Sequence, residues 1–531
     1  MRRPLPDLTI TLARSFIAVA AAIYLFDLWQ QTRDHLTNGA LRPFGDDFIN
    51  YWSGAYLAWH GHAAEIYDPV AFHLFQESVA GAPIQGYHYS YPPVLLLLTA
   101  PLAFVPYVPG LALWLAGGWY AFYRAVRLAL PGRGALLLAL SAPAVFINAV
   151  GGQNGTWTAA LFGFGLGLIE KRPALAGGLL GLLIYKPQFG LLVPVALLAG
   201  RHWRAFLFAG ISAGALLAIS VIWLGPALWT DYLRNLAVLR QIVLEDGTGV
   251  WHRFVSVFVA ARRLGAPIDA AYAIQALTGA LALIAVALVW WRKDAPLGVK
   301  NAVLLSGTCL ATPYLQDYDL VFGALIVIWL WREPAAGFER TLPVAAALLL
   351  ILPLLAAATA NITGLCLGPL FIAPIFFLAA RIGMQKNLHR TMGLLPPACY
   401  RLPPRCTGGR NAELHVGSCP SADAGPGSDR AVVRAHAGRP SDPQHPAGNA
   451  AHRSQARWRQ YFSGPGQAGR WRQCAAGNAL SGPRSFRTDG VRHRRGGGRS
   501  QGQGSRVHHG TDRAEAGHKN LFPARSAGNL D

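Results

Sequence analysis

Long apolar runs separated by short basic hinges fill the chain from residue 8 to about residue 387, and beyond that point the runs stop. A spanning helix needs roughly 20 apolar residues, because the hydrocarbon core is about 30 Å thick and a helix rises about 1.5 Å per residue. On that measure the runs at 8–29, 110–130, 134–150, 154–169, 173–185, 187–200, 205–224, 271–291, 299–314, 318–331, 341–358 and 362–381 predict membrane spans. Several are short, and 173–200 reads equally as one long helix broken at Pro187, whose ring cannot continue the hydrogen-bond ladder. The pattern predicts an all-α integral membrane bundle of about 12 transmembrane helices within residues 1–387.

Loop charge orients the bundle, since cytoplasmic loops carry an excess of Lys and Arg. With Arg2 and Arg3 cytoplasmic, alternation puts nearly every basic hinge on that side: Arg124, Arg127 and Arg133; Lys171 and Arg172; Arg201 and Arg204; Arg292, Lys293 and Lys300; Arg332 and Arg340; Arg381 and Lys386. This works only if 93–107 (PVLLLLTAPLAFVPY) does not cross, so that stretch, with its three prolines, is expected to be a re-entrant or interfacial helix. Two large outer loops follow, 31–109 and 225–270, with both termini on the cytoplasmic side of the cell (inner) membrane. The first run reaches Trp29 without a small-residue cleavage site, so it reads as an uncleaved span rather than a signal peptide.

Composition sharpens the boundary. The chain is 53% hydrophobic and 14% charged, well below the roughly 25% charge of a soluble domain. Residues 388–531 hold 22 Lys+Arg against 8 Asp+Glu, so most of the net +21 belongs to them, and the basic balance does not argue for nucleic-acid binding by the main body. This tail is rich in Arg, Gly, Ala, Pro and Ser and has too little apolar surface to offset ordering entropy, which predicts disorder. It reads either as a basic cytoplasmic tail touching anionic lipid or, with one Lys (Lys519) among its 22 basic residues, as GC-rich DNA read out of frame after about Met384. The six cysteines show no C-x-x-C spacing, and no metal-ligand spacing stands out.

The same topology gathers five polar motifs on the non-cytoplasmic side: Gly45–Trp52 with Asp46 and Asp47, Tyr87–Pro93, Gly151–Asn154, Tyr185–Gln188 and Pro313–Asp319. Ionisable groups at membrane depth are costly and tend to face an internal cavity, so the five together predict one polar chamber. Each motif also has a plainer reading. Asp46-Asp47 is either a helix N-terminal cap or a carboxylate able to take a proton from an acceptor hydroxyl. Tyr89 and Tyr91 either line the chamber or end a loop and anchor it at the interface. Lys186, with Gln188, either holds a lipid phosphate or snorkels from a helix end. Gln153 and Asn154 read as the cap of the 154–169 helix. Asp317 and Asp319 are turn residues, contacts for a substrate hydroxyl, or a partner for Lys186. Arg253 and the Arg262-Arg263 pair could grip phosphate with forked hydrogen bonds or bind anionic headgroups without specificity.

The order Asp47-Phe48-x-x-Tyr51-Trp52, Gly61, Ile66-Tyr67-Asp68-Pro69, Tyr91-Pro92-Pro93, Gly152-Gln153-Asn154 and Lys186-Pro187-Gln188 resembles glycosyltransferase family 87, over roughly residues 8–385. The resemblance implies an integral membrane enzyme of the GT-C fold, akin to polyprenyl-phosphomannose-dependent α-mannosyltransferases. It implies a polyprenyl-phosphate-sugar donor carrying a mannose-like hexose, a lipid or glycan acceptor, inversion at the anomeric carbon, and a catalytic Asp in the first outer loop. Asp47 matches that position and Asp46 is the adjacent alternative. Beyond the lipid-linked donor no cofactor is implied, and no glycine-rich nucleotide loop is visible. Two other activities fit a bundle with a polar chamber: a lipid or sugar transporter or flippase, and a polymerase or ligase of lipid-linked glycans. No second copy of the Asp47 or Lys186 motif appears, as an internal repeat would require.

Overall fold

The computed structural model of the chain describes residues 7–33, 41–132, 134–247, 250–333 and 337–385. The expectations for the tail, 388–531, lie outside these residues. In chain order the helices are α1 Asp7–Arg33, α2 Phe48–Trp59, α3 Pro69–Ala80, α4 Val94–Leu98, α5 Tyr107–Ala129, α6 Gly134–Ser141, α7 Pro143–Val150, α8 Gly155–Leu168, α9 Pro173–Gly181, α10 Pro187–Gly190, α11 Val193–Ala199, α12 Trp203–Leu224, α13 Pro226–Leu239, α14 Val257–Arg263, α15 Ile268–Trp291, α16 Leu297–Ala311, α17 Gly323–Arg332, α18 Thr341–Thr363 and α19 Gly368–Met384. Among the described residues the β-type pairing is confined to one antiparallel bridge, Phe254 with Gln316. The described residues form an all-helical fold with apolar helices of membrane-spanning length, as in a membrane protein.

Among the described residues, four of the twelve expected spans are helices both long and apolar enough to cross a bilayer: Ile10–Gln31 within α1, α12, α15 and α18. Of the rest, α5 is an unbroken 23-residue helix that falls short in apolarity, the others are shorter or broken, and the breaks fall at identifiable residues. The run at 134–150 divides at Ala142-Pro143 into α6 and α7. The run at 173–200 tightens into a 3-10 turn at Leu182–Tyr185, breaks at Lys186-Pro187, and resumes as α10 and α11. The 318–331 run likewise begins as a 3-10 turn, Asp317–Phe322, before α17. Two of these irregular stretches carry the charged motifs, because freed backbone groups are tolerated at membrane depth where protein covers them.

Residues 93–107 form the short α4 and a 3-10 turn, Ala100–Phe104, whose Val94, Leu95, Leu96, Leu102 and Ala103 are buried. The first large loop is not loose chain. Its α2 and α3, with Tyr89 of the segment that follows them, build an aromatic core of Phe48, Tyr51, Trp52, Phe72 and Tyr89, extended by Tyr107 and Trp114 of α5. Asp68 caps α3, accepting from Val70 N and Ala71 N at 2.9 and 3.1 Å. A second, larger core runs through the bundle from Phe122 to Ile382.

Candidate active site

Two close backbone approaches bring the motifs together. Gly152 sits at φ +59°, and a Cβ there would lie 2.0 Å from Gly45 O, so only glycine lets the 151–154 turn seat against the loop that precedes α2. The seat is sealed by Asp47 N donating to Gly151 O at 3.2 Å. A Cβ on Gly155 would lie 2.3 Å from Tyr318 O, which brings the start of α8 against the Asp317–Phe322 turn. The Phe254–Gln316 bridge, with Val255 N donating to Leu315 O at 2.9 Å, sets Arg253 beside Asp317.

Four carboxylates converge, and their partners differ. Asp319 is buried and its Oδ1 takes a hydrogen bond from Lys186 Nζ at 2.6 Å, while Oδ2 accepts from Gln316 N at 3.1 Å. Asp317 is buried against Arg253 Nε, at 3.2 and 3.3 Å to its two oxygens. Asp46, in a left-handed backbone conformation at φ +48°, accepts from Arg42 Nη2 at 2.8 Å and Tyr87 OH at 2.5 Å, and lies 3.9 Å from Arg253 Nη1. Asp47 is the half-buried member. Among the described residues it has no ion-pair partner within 4.0 Å, and its side chain accepts from the neutral amide of Gln153. The ring of Tyr318 lies between the two cations, with Lys186 Nζ 4.8 Å and the Arg253 guanidinium carbon 5.7 Å from its centroid.

A run of neutral groups links the two ends of the cluster. Lys186 Nζ donates to Asn154 Oδ1 at 2.9 Å, and Asn154 Nδ2 donates to Tyr91 OH at 3.0 Å. Tyr91 and Tyr51 share a hydrogen bond at 2.9 Å between their hydroxyls, and Tyr51 OH donates to Gln153 Oε1 at 3.0 Å.

Several plainer readings of these residues fail on geometry. Asp47 occupies the N-cap position of α2 and Asn154 that of α8, yet neither side chain makes a capping hydrogen bond, because each is committed to the cluster. Lys186 does not snorkel: it is buried, and its charge is met by Asp319. Tyr89 is buried beside Tyr91, ring centroids 6.0 Å apart, with its hydroxyl outside the hydrogen-bond run. Gln188 is half-buried on the turn after Lys186 and joins none of these bonds. Arg262 and Arg263 stand elsewhere. Arg262 donates to Ala266 O at 2.9 Å and Glu245 O at 3.4 Å, and Arg263 to Ala360 O at 3.0 Å and Gly364 O at 3.1 Å, at the C-terminus of α18.

Four further residues belong to the cluster that sequence reasoning did not single out as site residues. They are Arg42 and Tyr87 on Asp46, Tyr51 on Gln153, and Tyr318 between the cations. Three of them lie inside the polar motifs. Arg42, four residues before Asp46, was legible only as a loop charge.

The electrostatics follow from these partners. Burial, and after it the neighbouring Asp46 charge, push the Asp47 carboxyl up to about 7, against the opposing pull of Arg253, the Gln153 hydrogen bond and Arg42. Burial works against the Arg253 charge, but Asp317, Asp46 and Asp47 outweigh it and hold the guanidinium above its ordinary value. Burial and the two aspartates also hold the Tyr87 phenol protonated, far above its usual range. A carboxylate poised near neutrality, beside a cation that does not titrate, is what proton abstraction coupled to departure of an anion requires.

Fold and site together define a helical membrane protein whose charged residues converge on one open carboxylate. Residues 89–313 match the model of glycosyltransferase family 87, and this match supports glycosyltransferase activity. The matched stretch contains Tyr89, Tyr91, Gln153, Asn154, Lys186, Gln188, Arg253, Arg262 and Arg263, while Asp46 and Asp47 precede it and Asp317 and Asp319 follow it. No curated protein and no solved structure matches the chain. Among the activities left open by sequence, sugar transfer is the one the family match carries.

Proposed function

We propose that the chain transfers a hexose, mannose-like, from a polyprenyl-phosphate donor to a hydroxyl of a lipid or glycan acceptor at the non-cytoplasmic face of the cell membrane, with inversion and with Asp47 as the general base. The observation that carries this reading is the contrast among the four acids. Asp46, Asp317 and Asp319 are each engaged by a cation, whereas Asp47 keeps solvent-accessible surface and a single neutral donor. A base must reach the proton it removes, and Asp47 is the member of the cluster free to do so. This favours Asp47 over Asp46, which is tied to Arg42 and Tyr87.

In the proposed step Asp47 takes the acceptor hydroxyl proton as that oxygen attacks the anomeric carbon. The carbon–oxygen bond to phosphate breaks with its electron pair passing to phosphate, and polyprenyl phosphate departs. Arg253 is the cation suited to the leaving group. Its Nε is anchored on Asp317, while its terminal nitrogens point toward Asp46 and Gly151, one 3.9 Å from Asp46 Oδ2 and the other 3.2 Å from where a Gly151 Cβ would stand. In this reading Gln188 and Tyr89 stand beside the donor site and Lys186, Asn154 and Tyr91 lie behind it in the hydrogen-bond run, and the outward face follows from the loop-charge argument.

The test is transfer of radiolabelled hexose from polyprenyl phosphomannose into extractable lipid or glycan by membranes containing the full chain. Label should be incorporated with the native protein and not with Asp47→Ala, at equal membrane content of the two. An active Asp47→Ala protein would overturn the assignment, and movement of intact donor across the membrane without transfer would favour a flippase.

A further inference from the structure

Five hydrogen bonds between Lys186 and Asp47 can run in one direction only. Lys186 carries donors and no acceptor, so Asn154 must turn its Oδ1 to Nζ and its Nδ2 to Tyr91 OH. At the other end an ionised Asp47 carries acceptors and no donor, so Gln153 must turn its Nε2 to it and its Oε1 to Tyr51 OH. The one proton on Tyr51 is thereby committed to Gln153, and the shared bond between the hydroxyls must be donated by Tyr91. Reversing either amide would set donor against donor or acceptor against acceptor. Each link polarises the next in the same sense, and the buried Lys186–Asp319 ion pair fixes the starting point.

We infer that Gln153 is a positioning residue for Asp47, its amide held N–H first toward the carboxylate by this one-way chain from Lys186 through Asn154, Tyr91 and Tyr51. The inference rests on Asp47 being the base. The chain does not conduct the abstracted proton, because an amide at each of two positions interrupts it. What it does is oppose the flip of Gln153 that a protonated Asp47 would favour, so the carboxylate regains its ionised, acceptor-only state as its proton passes to solvent at its exposed edge. Lys186 and Asp319 then act on the reaction from a distance, through orientation, while Asp47 alone touches the acceptor.

Charged and titratable groups facing Asp47 from the packed elements are Asp46, Arg42, Arg253, Tyr51, Tyr87 and Tyr318. The decisive variants leave all the charges in place. Tyr91→Phe and Tyr51→Phe delete a hydroxyl from a ring that keeps its packing, and Gln153→Leu deletes the last donor.

With polyprenyl phosphomannose as donor, Tyr91→Phe should lower kcat at neutral pH about 3–10-fold, the worth of one hydrogen bond, with donor KM little changed. Gln153→Leu should lower it about 10–100-fold, since it removes a bond to a charge. Both should move the acid limb of kcat/KM to higher pH, because the lost bond favoured the ionised carboxylate. The double variant Tyr91→Phe/Gln153→Leu should be no worse than Gln153→Leu alone, as residues acting through one line are non-additive.

Multiplying effects, an unmoved acid limb, or a change confined to donor KM would each overturn the inference, the last by assigning these residues to donor binding. Failure of the base reading is distinct: it would appear as an active Asp47→Ala protein, whatever the tyrosine variants do.

Discussion

Arg253 and the Arg262-Arg263 pair lie within ten positions of one another in the same large loop, and by sequence they carry the same signal. The structure separates them by what they face. Arg253 meets carboxylates: Asp317 through Nε and Asp46 across 3.9 Å, with Asp47 nearby. Arg262 and Arg263 meet backbone carbonyls, at Ala266 and Glu245 for one and at the end of α18 for the other. An arginine on carbonyls at a helix C-terminus satisfies orphan acceptors and the helix dipole, which is a folding task. One anchored on a carboxylate, with its terminal nitrogens toward Asp46 and Gly151, belongs instead to the charged cluster around Asp47. The proximity of basic residues in a chain therefore says little about their work until the acceptors are known.

The largest effect expected from this contrast falls on the acid that Arg253 shares with solvent. Asp47→Asn should reduce transfer about 10²–10⁴-fold, the range typical for loss of a general base, with the protein still inserted. Arg253→Gln should follow at about 10²–10³-fold in kcat, as for loss of one preorganised stabiliser of developing charge. Steady-state kinetics in membranes measure both. If Arg253→Gln changed only donor KM, its charge would serve binding alike in ground and transition states rather than departure of phosphate.

Next comes the pH profile. With the Asp47 carboxyl at about 7, kcat/KM should rise with pH through that value, because the base acts when ionised. The neighbouring Asp46 charge raises Asp47, so Asp46→Asn should move the acid limb to lower pH. Arg253 lowers it, so Arg253→Gln should move the limb to higher pH. Opposite shifts from two residues on either side of one carboxylate are a signature that general damage to the fold would not mimic. Shifts in the same direction would break the assignment of the limb to Asp47.

How far the sequence reaches can be read from particular residues. The helical bundle was legible from run length, and the gathering of the 45–52, 87–93, 151–154, 185–188 and 313–319 motifs was legible from loop charge and polar islands. The pairing of Lys186 with Asp319, 133 residues apart, stood only as one of three readings of the acids, because periodicity carries no information on which distant side chains meet. Asn154 and Asp47 looked like caps since they sit at helix starts. Position alone cannot show that a side chain has turned away to a tertiary partner. Twelve apolar runs predicted twelve spans, yet hydropathy does not register the 3-10 turns at Leu182–Tyr185 and Asp317–Phe322, where the chain loosens to present its charges. The first loop's own core and its closure onto α5 join side chains from separate elements, which periodicity does not report.

The smallest effects test the other side of the comparison. Arg263→Gln removes hydrogen bonds to Ala360 O and Gly364 O at the C-terminus of α18, and Arg262→Gln removes those to Ala266 O and Glu245 O. Each loss should cost roughly 1 kcal/mol of stability, the scale of a partly buried helix-end interaction, read as a modest fall in thermal midpoint of the detergent-solubilised protein. Transfer by what remains folded should stay within about twofold of native, and the acid limb should not move, since neither guanidinium faces Asp47. If instead Arg262→Gln or Arg263→Gln lowered kcat as far as Arg253→Gln, these arginines would be reaching the donor phosphate by a rearrangement of the 225–270 loop. The division between folding and chemical charge in that loop would then fall.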